Sequence, residues 1–206
     1  KSIFFLLSSL LWVGCTTEQS WNFKTNYFSI DVNGKGYITS MKNITVSPNR
    51  EFSPIDKPSP LMSLYDSKKN VYYYPQKARF NEGTQLFTID YPNGSVAQVE
   101  LQPKDKYLKL SLVSLEPCHD VDAIQWGTYY TNITNLMGEI IGVARDTSDV
   151  VNYSIGMLAL DDNTLGGTAD IEGDAAPFQY IIHTPDAERF PLPDSLHEGQ
   201  VFTLGG

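Results

Sequence analysis

QLFTIDYPNGSVAQVELQPKDKYLKLSLVSL, residues 85–115, decides the fold class. Phe87 and Ile89 alternate with Thr88 and Asp90, the period of two that sends successive side chains to opposite faces of a strand. Pro92-Asn93-Gly94 then breaks the pattern, and Asn-Gly between alternating runs is the strongest short-range hairpin signal. Val96, Val99 and Leu101 carry the chain back to a second turn at Pro103-Lys104-Asp105. Tyr107, Leu108, Leu110, Leu112, Val113 and Leu115 form the third run. The stretch therefore reads as a three-stranded antiparallel meander.

Working outward, the same device opens the domain. Phe28, Ile30 and Val32 alternate with Ser29, Asp31 and Asn33, Asn33-Gly34 turns the chain, and Tyr37, Ile38 and Met41 return. Further strands are expected at residues 71–74, 77–81, 123–130, 140–145, 153–160 and 178–183, and again at Val201-Phe202-Thr203-Leu204. The 15 glycines and 12 prolines fall mostly between these runs, where turns need them. Sustained helical periodicity is missing beyond the leader, with room for a turn or two of helix at residues 133–141. Many short strands with closely spaced turns predict an all-β antiparallel β-sandwich. Residues 15–26 are polar and turn-like and read as a tether, and residues 27–206 as the domain. The terminal strand followed by Gly205-Gly206 reads as the front part of a longer protein, cut at a loop.

The front of the chain reads KSIFFLLSSLLWVG, followed by Cys15. Lys1, an apolar run from Ile3 to Val13 and small Gly14 have the layout of a signal peptide, residues 1–14. The run is shorter than the ~20 residues a membrane-spanning helix needs. A cysteine at the cut predicts a lipoprotein, with lipid on Cys15 holding the protein to a membrane surface in the periplasm or at the cell surface, on the outer membrane. Removal of the leader leaves 206 − 14 = 192 residues, enough for one domain with its own core. Cys118 is the sole remaining cysteine, so a disulfide framework is not expected. The net charge of −9 argues against a nucleic-acid partner, because phosphate contact calls for a basic surface.

Motifs for phosphate binding, a serine nucleophile elbow or a zinc site are missing, and His119, His183 and His197 stand singly. Carboxylates cluster at Asp120/Asp122, Asp161/Asp162 and Asp170/Glu172/Asp174. Spacing of two in a strand would aim Asp120 and Asp122 at one ligand. The oxygen-rich run from Asp170 through Glu172 to Asp174 is a calcium candidate, set against the reading of a solvated loop; no other cofactor is expected. Aromatic residues make up 12% of the chain and concentrate at Tyr72-Tyr73-Tyr74 and around Trp126, Tyr129 and Tyr130. Outward rings of this kind stack on the apolar face of a sugar while polar neighbours bond its hydroxyls. Trp126 reads equally as such a platform or as core.

The opening at residues 27–43, the meander at 85–115, and the run from Ala123-Ile124-Gln125-Trp126-Gly127 through Ile141-Gly142-Val143-Ala144-Arg145 to Leu160-Asp161-Asp162-Asn163-Thr164-Leu165-Gly166-Gly167 together resemble the galactose-mutarotase-like β-sandwich domain. The likeness is one of pattern and rhythm, and spans most of residues 27–204. Such domains stand at the front of secreted bacterial glycoside hydrolases. The resemblance implies a non-catalytic, carbohydrate-associated domain whose partners are a glycan and a downstream catalytic domain of the same chain. A free-standing surface glycan-binding lipoprotein and a sugar epimerase are the alternatives. The His and Glu that free-standing mutarotases use have no matching context at His119, His183 or His197.

Overall fold

The computed structural model describes residues 19–132, 136–137, 142–148, 151–161, 164–166 and 201–205. Among them the chain is all β, with seventeen strands, no helix, and antiparallel pairing throughout. The order along the chain is β1 (Ser20–Lys24), β2 (Phe28–Asn33), β3 (Tyr37–Asn43), β4 (Arg50–Glu51), β5 (Ser59–Pro60), β6 (Met62–Asp66), β7 (Val71–Tyr73), β8 (Lys77–Asn81) and β9 (Leu86–Asp90). It continues with β10 (Val96–Pro103), β11 (Leu108–Glu116), β12 (Ala123–Tyr130), β13 (Leu136–Met137), β14 (Gly142–Ser148), β15 (Val151–Met157), β16 (Leu165–Gly166) and β17 (Val201–Gly205).

The opening hairpin and the meander form as their alternation and turns require. Strands β1-β2-β3-β4, with β5 on β3, make one sheet, and β11-β10-β9-β8 make a second. A third sheet runs β16-β17-β12-β6-β7, and β13-β14-β15 form a fourth. Apart from β5 on β3, sequence neighbours pair in the first two because short connections leave them adjacent. The third brings together segments far apart in the chain, which no local pattern specifies.

Residues 20–24 belong to a strand and not to a tether. Ser20 to Lys24 pair with Asn33 to Ser29 along the whole of β1. The alternation of Trp21 and Phe23 with Ser20, Asn22 and Lys24 is short, but two large aromatic groups suffice to hold it. Trp21 meets the Phe87 ring edge-on at 5.3 Å, and Phe23 meets Phe80 at 5.0 Å. Both pairs fall within the 4.5–7 Å range in which offset and edge-to-face contacts are favourable.

The inner faces of three sheets converge on one core. Ile30, Val32 and Met41 come from the first, Phe87, Val99 and Leu101 from the second, and Leu64 and Trp126 from the third. Glu51 closes the outer corner of the first sheet. Its carboxylate accepts the Met41 N–H at 2.8 Å, the Ser53 N–H at 3.0 Å and the Ser40 hydroxyl at 2.6 Å. A single charged group thus satisfies backbone donors that a short β4 leaves open. Of the strands expected from sequence, residues 178–183 lie outside the described residues. So does most of 133–141, of which residues 136–137 are strand.

Candidate functional site

The tip of the β2–β3 hairpin is fixed by its own side chain. Asn33 Oδ1 accepts the N–H groups of Lys35 at 3.1 Å and Tyr37 at 3.0 Å, and Gly36 N–H bonds Asn33 O at 2.9 Å. Gly36 adopts φ 89°, a left-handed conformation that favours glycine, and a Cβ there would come within 3.0 Å of Pro75 Cβ. Three other segments hold this tip. Gly34 N–H donates to Gln19 O, Ala78 N–H to Gly34 O, and Leu61 N–H to Gly36 O.

The pinned tip contributes to an open depression of about 540 Å³, lined by Asn33, Lys35, Tyr37 and Thr39 together with Pro58, Pro75 and Gln76. Tyr37 is half-buried. Burial, with the Tyr74 phenol nearby as the lesser cause, raises its pKa and keeps it a neutral donor. Tyr74 ends a ladder of rings on the outer face of β6 and β7. Tyr65 and Tyr72 lie 4.7 Å apart, and Tyr72 stacks on Tyr74 at 6.3 Å with 25° between planes. Tyr74 is 48% exposed and directly precedes Pro75 of the depression's lining.

The lining combines hydroxyl, amide and ammonium groups with flat proline and tyrosine faces, and it includes no carboxylate, histidine or thiol. Such a surface can hold a neutral polyhydroxylated ligand by stacking and hydrogen bonding. Its ionisable groups are the Lys35 ammonium and the Tyr37 phenol.

The side chains singled out from sequence stand elsewhere. Trp126 and Tyr129 are each 8% exposed and belong to the core, so of the two readings of Trp126 the structure shows the second. Residues three apart normally face opposite sides of a strand. Here Gly127, at φ 91°, sits where the register shifts between Trp126 and Tyr129, and both rings turn inward. Tyr129 donates its hydroxyl to Leu61 O at 2.8 Å, as Tyr91 does to Met62 O at 3.0 Å. Burial drives the pKa of both phenols well above the ordinary tyrosine range. Tyr130 is half-buried, with Lys57 Nζ 4.1 Å from its ring centroid, a cation–π contact that already occupies one ring face.

Asp120 and Asp122 precede β12 in a loop, where the strand period that would set them on one face does not apply. Asp122 accepts the Ser67 N–H at 2.8 Å and the Ser67 hydroxyl at 2.9 Å, and these bonds hold its carboxyl below its usual range. Asp120 lies 3.8 Å from Lys69 Nζ, which pairs more closely with buried Asp66 at 2.8 Å. These carboxylates secure the β6–β7 turn to the loop before β12. His119 is exposed beside Asp120 at 3.6 Å. Cys15, Asp170, Glu172 and Asp174 lie outside the described residues; among the described residues no cluster of His, Cys, Asp and Glu has metal-site geometry.

Sequence reasoning passed over Lys35 and Tyr37. Their signal was the run Asn33-Gly34-Lys35-Gly36-Tyr37, which reads as a turn and hides that Pro58 and Pro75 arrive from distant segments to face it. No protein-family model, curated protein or solved structure matches this chain.

Proposed function

We propose that this chain is a non-catalytic, carbohydrate-binding β-sandwich domain of an exported bacterial glycan-processing protein, of the galactose-mutarotase-like kind. Lipid on Cys15 anchors it to the outer membrane, and it serves a downstream glycoside hydrolase domain. The observation that carries the binding reading is the depression lined by Tyr37, Pro58 and Pro75 together with Lys35, Thr39 and Gln76, with the half-exposed Tyr74 next to Pro75. A sugar stacked on one or two such rings gains about 1–3 kcal/mol beyond its burial, so dissociation constants belong in the high-micromolar range or weaker.

Affinity electrophoresis of the full chain through gels carrying neutral polysaccharides tests this reading. Retardation is expected for the parent chain, to be lost in Tyr37→Ala and Tyr74→Ala and kept in Lys57→Ala, which alters only the cation over Tyr130. Migration unaffected by every neutral glycan, or retardation indifferent to Tyr37 and Tyr74, overturns the site. For the anchor, mass spectrometry of membrane-bound protein should find Cys15 acylated and peptide 1–14 missing; a soluble chain that keeps Lys1 overturns it.

A further inference from the structure

Strand β11 is the outermost strand of its sheet among the described residues, bonded to β10 alone. It is nine residues long and leaves apolar groups in the open, with Leu112 36% and Val113 55% exposed. A long edge of this kind is a template for a further strand.

Its sequence identifies which strand fits. From Lys109 to Glu116 it reads Lys-Leu-Ser-Leu-Val-Ser-Leu-Glu, which matches its own reverse in character at every position. Laid antiparallel on a second copy about its centre, Lys109 meets Glu116, Leu110 meets Leu115, Ser111 meets Ser114, and Leu112 meets Val113.

In a regular strand this pairing fails, because it joins odd positions to even ones and so sets opposite faces against each other. The structure removes that obstacle. Val99 pairs with Leu112 and Gln98 with Ser114, which makes Val113 an extra residue and shifts the face by one beyond it. Leu110 therefore lies opposite buried Leu101 and Leu115 opposite buried Ala97, both on the core side. Lys109 and Glu116 are both on the outer side, and neither takes part in an ion pair among the described residues. The bulge falls at the centre of the palindrome, where a twofold axis would pass.

We infer that two copies of this chain associate through β11, pairing edge to edge about a twofold axis between Leu112 and Val113 to join two four-stranded sheets into one. Such a dimer is isologous, with each Lys109 facing the other copy's Glu116. Both core-side leucines continue the apolar face across the junction.

Sedimentation velocity on the full chain up to high-micromolar concentration tests the pairing, with charge reversal as the probe. The parent chain is expected to sediment as a concentration-dependent dimer. Lys109→Glu and Glu116→Lys each place two like-charge pairs across the junction and should weaken the dimer by about tenfold or more. The double variant restores opposite charges and should return the parent affinity, an outcome that a folding defect cannot produce. A parent chain monomeric throughout overturns the proposal and leaves Lys109 and the bulge as devices that blunt an edge. A dimer indifferent to both single reversals overturns it too, and places association elsewhere, the apolar N-terminal run included.

Discussion

Replacing Tyr91 and Tyr129 together by phenylalanine should flatten the alkaline side of the stability curve. Both phenols are buried, and each donates to a carbonyl of adjacent residues, Met62 and Leu61. At neutral pH the double variant loses two hydrogen bonds, a cost of about 1–3 kcal/mol. Alkali reverses the comparison. In the unfolded chain each phenol ionises near pH ~10, while burial keeps it protonated in the fold. Above that pH the unfolded state binds fewer protons than the folded one, so stability falls as pH rises. One unit above the ordinary value the loss is about 1.4 kcal/mol per phenol, or about 3 kcal/mol for the pair. For a chain of this size that is a drop of roughly 6–11 °C in Tm. Thermal melts of the parent and double variant at pH ~8 and pH ~11 read the difference directly. The gap seen at the lower pH should close or change sign at the higher one. A gap unchanged between the two would mean that these phenols titrate as freely folded as unfolded, and that neither lies in the core.

Trp126→Ala should cost about 3–5 kcal/mol in urea denaturation, as removal of a large core ring does, and a cost under ~1 kcal/mol would contradict its burial. Gly36→Ala should destabilise by at least about 1–2 kcal/mol, since φ 89° disfavours any side chain and Pro75 crowds the added methyl; a neutral result in the same assay would refute the pinned turn. Asp122→Asn should lower Tm at neutral pH, where the carboxylate accepts from Ser67. Its folded pKa is depressed, so that stability is present above the unfolded value and disappears as pH falls below ~4; an equal deficit at pH ~7 and pH ~3 would contradict it.

The hairpin and meander were legible because each is local. Asn33-Gly34 and Asn93-Gly94 fix their turns, and the alternation on either side fixes which face is buried. β1 was legible in principle, through Trp21 and Phe23, but its pattern is too short to stand out from the polar residues around it. Three features were not legible. The pairing of β12 with β6 and β17 joins segments far apart in sequence. The bulge at Gly127 turns Tyr129 inward against the period of two, so a ring read as an outward platform folds as core beside Trp126, which read equally as either. The depression at Tyr37 is assembled from a turn and two prolines that meet only in three dimensions. Asp120 and Asp122 had suggestive spacing, yet that spacing has meaning in a strand and they lie in a loop.

The binding claim is tested most directly by titrating the isotope-labelled chain with a soluble neutral oligosaccharide and following amide shifts in two-dimensional NMR spectra. Saturable shifts are expected at Lys35, Tyr37, Thr39 and Gln76, with Asp122, Trp126 and Tyr129 unmoved. Shifts centred on β12, or none at millimolar sugar, would contradict the account.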